Sequence, residues 1–179
     1  MLGAYLLGAV GCAPALSDDQ VKVLLEEMLP ISYNVLASVY GELLKVEEPE
    51  KIDESWTTPH YFTVTEDSYY TSIDAIKADA EKVFSPMYLE TVYEYAFTGN
   101  DEVMSRFGEK DGRLTLDVVK EPYNILTDLY IDTAVVVKSS KYAAEIEIEG
   151  SANGGKTRKK VLITLACVEG KWLFNGPSY

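Results

Sequence analysis

Apolar positions follow two regimes along the chain, helical spacing up to Gly99 and strand-like alternation after Asp111. From Asp18 onward, Val21, Leu24, Leu25 and Met28 recur at helical spacing, and Val35, Leu36, Val39, Tyr40, Leu43 and Leu44 extend the stripe past Pro30. Proline lacks an amide donor and its ring meets the preceding turn, so this stretch predicts two helices or one kinked helix. Glu47-Glu48-Pro49-Glu50-Lys51 is a polar break. Tyr61-Phe62-Thr63-Val64 has the composition of a short strand, ended by Glu66-Asp67-Ser68. Ser72 is a fitting N-cap for a helix over Ile73 to Phe84, with Asp74 in the first turn, where the helix dipole favours an anion. Ser85-Pro86 repeats the signal, a cap followed by proline at the first helical position, and launches Met87 to Phe97, which Gly99 closes. Asn100 to Lys110 reads as polar loop, apart from a short strand around Met104 to Phe107.

Asp111-Gly112 is a strong hairpin signal, and strand composition follows it. Leu114 to Val118, Leu129 to Val137, Tyr142 to Glu149, Lys160 to Val168 and Lys171 to Phe174 predict successive antiparallel strands. Glu145, Glu147 and Glu149 share one face of their strand, and Ala144, Ile146 and Ile148 share the other. Pairing Glu149 with Arg158 and Glu147 with Lys160 sets Ile146 opposite Val161 and makes a salt-bridged hairpin. Leu129, Ile131, Thr133, Val135 and Val137 form the expected core face of the preceding strand. The fold class is therefore α+β, with N-terminal helices on one face of a curved antiparallel sheet of five or six strands.

Length and charge narrow the function. A chain of 179 residues suits one domain. With 47% hydrophobic residues it has enough apolar surface to fold. A formal net charge of -13 repels phosphate backbones and anionic lipid, so nucleic acid is not an expected partner and a basic protein is. The segment MLGAYLLGAVG is apolar and uncharged, too short to span a bilayer but fitting the apolar region of a signal peptide. Ala9-Val10-Gly11-Cys12 resembles a bacterial lipobox, which makes Cys12 the expected lipidation site and the only expected membrane attachment. The alternative is a buried amphipathic first helix. Residues 1–17 are thus expected to be an export or lipoprotein signal with a short linker, and 18–179 a single extracytoplasmic domain, monomeric and without cofactor. Only Cys12 and Cys167 are present, so removing or acylating Cys12 leaves no disulfide to form.

Candidate chemistry is sparse. Gly150-Ser151-Ala152-Asn153-Gly154-Gly155-Lys156-Thr157 satisfies the phosphate-loop pattern, yet a phosphate loop must open a helix, and the β-branched run Val161 to Leu165 follows instead. A glycine-rich hairpin loop is the expected structure. Cys167 and His60 could in principle pair as thiolate and imidazolium, but Cys167 alternates with Val161, Ile163 and Leu165 and reads as a buried thiol. His60 has no Cys or His neighbour at ligand spacing, so no metal site is expected. Asp128, Tyr130 and Asp132 share a strand face, as in pockets where a carboxylate and a tyrosine move protons, although the better core face lies opposite. No catalytic residue is assigned. Thirteen tyrosines suit a protein or glycan contact surface.

Four motifs carry a family resemblance: Tyr70-Thr71-Ser72-Ile73-Asp74-Ala75-Ile76, Val83-Phe84-Ser85-Pro86-Met87-Tyr88, Lys110-Asp111-Gly112-Arg113-Leu114 and Gly170-Lys171-Trp172-Leu173-Phe174. With them the segment Tyr61 to Tyr179 resembles the IseA-type DL-endopeptidase inhibitors, exported bacterial proteins that bind cell-wall cysteine peptidases. The chain departs from that pattern at Leu114-Thr115, where Leu-Tyr is expected, and in its lipobox-like segment. The resemblance implies a cystatin-like or nuclear-transport-factor-like sheet that acts by occlusion, with a cell-wall DL-endopeptidase as partner. On this reading the Gly99 to Gly112 connection makes the contacts, through Asp101, Glu102, Phe107, Glu109 and Asp111. The alternative is an envelope module that binds a small ligand or glycan in a pocket between the sheet and the Ile73 to Phe97 helices.

Overall fold

A computed structural model describes residues 15–40, 43–47, 58–99, 104–119, 128–152 and 157–177. The apolar stripe forms one helix, α1 (Asp18–Val39), with Pro30 inside it. Ser17 starts α1 through a capping box with Gln20, satisfying amides that the first turn leaves unpaired. Strand β1 (Tyr61–Thr63) precedes α2 (Ile73–Val83) and α3 (Pro86–Tyr93), capped by Ser72 and Ser85 as expected. Glu94–Thr98 continues α3 as a wider π-turn that ends at Gly99, whose φ of 68° favours glycine.

The fold is α+β, but among the described residues the seven strands form two antiparallel sheets rather than one. β2 (Phe107–Lys110) and β3 (Arg113–Asp117) join β1 in the order β1-β3-β2, and β4 (Asp128–Ser139), β5 (Ala143–Ala152), β6 (Thr157–Val168) and β7 (Lys171–Phe174) form a meander. A single buried cluster unites α1, α2, α3 and both sheets, with Val21, Leu25, Ile76, Phe84, Phe107, Leu114, Ile146, Ile163 and Phe174 among its members.

Two register expectations need correction. Glu149 lies opposite Lys160, Glu147 opposite Leu162 and Ile146 opposite Ile163, a slide of one pleat repeat from the expected pairing. Faces survive such a slide because the side-chain period is also one pleat repeat. The expected ion pairs still form, reaching diagonally: Arg158 Nη1 to Glu149 Oε2 at 3.1 Å and Lys160 Nζ to Glu147 Oε1 at 2.6 Å. In β4 the error is larger. Register jumps between Tyr130, opposite Glu149, and Val135, opposite Glu147, and the odd excess of residues inverts the alternation. Ala134 is therefore fully buried, while Val135 and Val137 are 43% and 59% exposed. Thr133 sustains the bulge: its hydroxyl donates to the Tyr130 carbonyl at 2.6 Å and accepts the Glu149 amide at 2.9 Å.

The helical layer grips both outer strands of the meander. On β4, Ser139 Oγ accepts the Leu16 amide at 2.8 Å and Asp18 Oδ1 accepts the Val136 amide at 2.7 Å. On β7, the elbow between α2 and α3 docks: Phe84 bridges to Phe174, their rings 5.9 Å apart, and the Ser85 amide donates to the Phe174 carbonyl at 2.8 Å. Truncating Phe84 to alanine should leave a cavity and cost about 3–5 kcal/mol. In urea denaturation the midpoint should fall with the slope unchanged; a loss below about 1 kcal/mol would show that the elbow does not hold the layers together.

Candidate functional site

The Gly99 to Gly112 connection is only partly loop. Residues 100–103, with Asp101 and Glu102, lie outside the described residues. From Phe107 the chain is the first arm of a hairpin, buried at its root and exposed at its tip. Phe107 is 1% exposed and stacks on Phe97 at 5.7 Å. This corrects its assignment as a partner contact: an aromatic ring at this position gains more from burial than a polar loop can offer, and it anchors the hairpin instead. Next to it Arg106 is buried; its amide donates to the Tyr95 carbonyl at 3.2 Å and its carbonyl accepts the Asp117 amide at 2.9 Å. Asp117, also buried, closes the far end of β3 by accepting the amides of His60 and Val119 through Oδ1.

At the tip, Asp111 and Gly112 both have positive φ, 53° and 74°, as a tight two-residue hairpin turn with the twist of its flanking strands requires. Glu109, Lys110 and Asp111 are exposed and form no ion pair among the described residues, whereas Arg113 is tied to Glu47 at 2.6 Å. Glu109 and Asp111 thus stand in solvent beside Lys110 at the tip of a molecule whose formal net charge is -13.

A second feature lies between α2, α3 and the β6–β7 turn, where a sequence reading could not place residues distant in the chain. It is an open groove of about 570 Å³. Phe84, Leu89 and Leu173, all buried, form its floor. Glu81, Glu90, Glu169 and Lys171 are on its rim. Glu169 has φ of 51°, unusual for a residue with a long side chain. Glu90, Glu169 and Lys171 form no ion pair among the described residues, while Glu81 accepts a hydrogen bond from the Tyr93 hydroxyl at 3.2 Å.

The other candidates do not converge. Asp128 and Asp132 are exposed on β4 and neither lines the groove. Tyr130 instead lies under the Arg158 guanidinium, 3.7 Å from the ring centre, with its hydroxyl 3.2 Å from Ser151 Oγ. Cys167 is half-buried on β6, packed against the core, and His60 precedes β1 in the other sheet with Nδ1 2.7 Å from the Thr58 carbonyl. The phosphate-loop pattern joins antiparallel strands, with Ala152 opposite Thr157, although residues 153–156 lie outside the described residues. Cys12 lies outside them too. Among the described residues no three His, Cys, Asp or Glu side chains are placed to hold a metal ion, and no helix is long and apolar enough to cross a membrane. No family model matches the chain, and no curated protein matches it either.

Two phenols, Tyr70 buried and Tyr93 partly buried, give a pH signature. Burial, then the Glu81 charge and hydrogen bond, hold the Tyr93 hydroxyl protonated well above the ordinary tyrosine range. Burial and the hydrogen bond to Asp79 do the same at Tyr70. The unfolded chain releases these protons near pH 10 and the folded chain does not, so stability is intact below about pH 10 and falls as pH rises from there. Replacing both tyrosines with phenylalanine should flatten that alkaline decline when unfolding is measured between about pH 9 and pH 11; an unchanged decline would show that other groups cause it.

Proposed function

We propose that this chain is an exported, non-catalytic protein of the bacterial cell envelope that binds a cell-wall DL-endopeptidase and occludes its cleft. The observation that carries the reading is the β2–β3 hairpin, whose root is locked into the core by Phe107 and whose tip holds Glu109 and Asp111 in solvent on a defined turn. Inhibition by occlusion needs a segment that does not collapse when it enters a cleft, and a preorganised hairpin avoids the entropy cost of ordering a loop on binding. The resemblance over Tyr61 to Tyr179 supplies the partner class, and the net charge of -13 supplies steering towards a basic hydrolase. Export through residues 1–17, with Cys12 as the lipid anchor, places the inhibitor outside the cytoplasm with its partner.

The groove favours a second reading, an envelope module that binds a small ligand. Its volume of about 570 Å³ lies within the range of small-molecule sites.

The test is binding of the full chain to recombinant DL-endopeptidase catalytic domains at low and high salt, with peptidoglycan cleavage followed in parallel. Binding that weakens with salt and stops cleavage is expected. The paired change Glu109→Gln and Asp111→Asn should weaken it about tenfold, and because asparagine tolerates positive φ the turn should stay intact. Absence of binding to every peptidase at every salt concentration would remove the inhibitor reading.

A further inference from the structure

The groove offers opposite charges on its rim and an apolar surface between them. We propose that it binds a short peptide with a free amino group and a free carboxylate, the ammonium held by Glu90 and Glu169, the carboxylate by Lys171, and an apolar side chain resting on Leu89 and Leu173. This inference rests on the ligand-binding reading of the groove and names its ligand class.

Charge complementarity is the main argument. Lysines and arginines are scarce against carboxylates in this chain, 16 to 29, and many that the structure describes are committed: Lys45, Lys82, Arg113, Lys138, Arg158 and Lys160 each pair with a carboxylate. Lys171 remains uncommitted at a rim that also carries Glu90 and Glu169, and none of the three is paired among the described residues. A ligand with charge of one sign would satisfy one side of the rim and leave or repel the other. A peptide with both termini free meets both, while its side chain covers the apolar floor.

The floor also separates a peptide from a sugar. Sugars are held by flat aromatic faces, and the aromatic rings here are already engaged. Phe84 packs against Tyr88 and Phe174, and Tyr93 carries the Lys77 ammonium at 5.4 Å and meets Phe97. What remains for a ligand is aliphatic surface from Leu89, Leu173 and Val168, which suits a branched side chain. The available volume accommodates a few residues and excludes a folded partner.

The probe is the free-ended tripeptide Ala-Leu-Ala, titrated into the full chain and followed by amide chemical shifts. Shifts are expected at α3 and at the β6–β7 turn. N-acetylation and C-amidation of the peptide should each weaken binding about threefold. Lys171→Met should make the free and amidated peptides bind alike, and the pair Glu90→Gln and Glu169→Gln should do the same for the free and acetylated peptides, a coupling that general loss of structure would not produce. If both blocked peptides bind as well as the free one, the charge assignment is wrong while the groove remains a ligand site. If N-acetylglucosamine oligomers perturb the same amides and the peptide does not, the ligand is a glycan and the inference falls. If neither probe moves any groove amide, both the inference and the ligand-binding reading fall.

Discussion

A four-stranded meander has two outer strands with unpaired amides and carbonyls, and the rest of this molecule is arranged around covering them. Helix α1 closes one side, where Asp18 accepts the Val136 amide of β4 and the Leu16 amide, just before the helix, donates to the Ser139 hydroxyl. The α2–α3 elbow closes the other, where Phe84 and Ser85 fasten to Phe174 of β7. Because Ser85 both caps α3 and donates its amide to β7, the helix start and the sheet edge are fixed by one residue. The groove follows from this seat: the elbow is pinned at Phe174, the β6–β7 turn runs on past it, and Leu173 and Leu89 are left lining the space between.

The same economy governs the smaller sheet. Phe107 serves the core, so the hairpin above it needs no partner to be ordered, and its tip is free to carry charge. One short strand is thus apolar and buried at its root and polar and exposed at its tip, and the occlusion hypothesis depends on this division.

Local signals carried most of the fold. Ser72, Ser85-Pro86, Gly99 and Asp111-Gly112 each act through a few neighbouring atoms, so their effects are legible in the chain. The glutamate alternation of β5 fixed its faces for the same reason. What failed was non-local. The β4 bulge depends on Thr133 bridging Tyr130 and Glu149, and nothing in the alternation of Leu129 to Val137 announces it. Phe107 sits among polar neighbours in the sequence, and Phe97, its stacking partner, lies across a connection whose path the sequence does not give. The division into two sheets is not legible in the sequence, because strand spacing does not reveal which strands pair. The groove was anticipated only as a place between sheet and helices; its residues come from three separated segments, and no motif links them.

The most direct test of the central claim is hydrogen–deuterium exchange of the full chain with and without an inhibited DL-endopeptidase catalytic domain. If the hairpin is the occluding element, protection should concentrate on Glu109 to Arg113, with the already buried Arg106 and Phe107 unchanged. Protection that leaves the β2–β3 turn exposed and falls elsewhere would contradict the account.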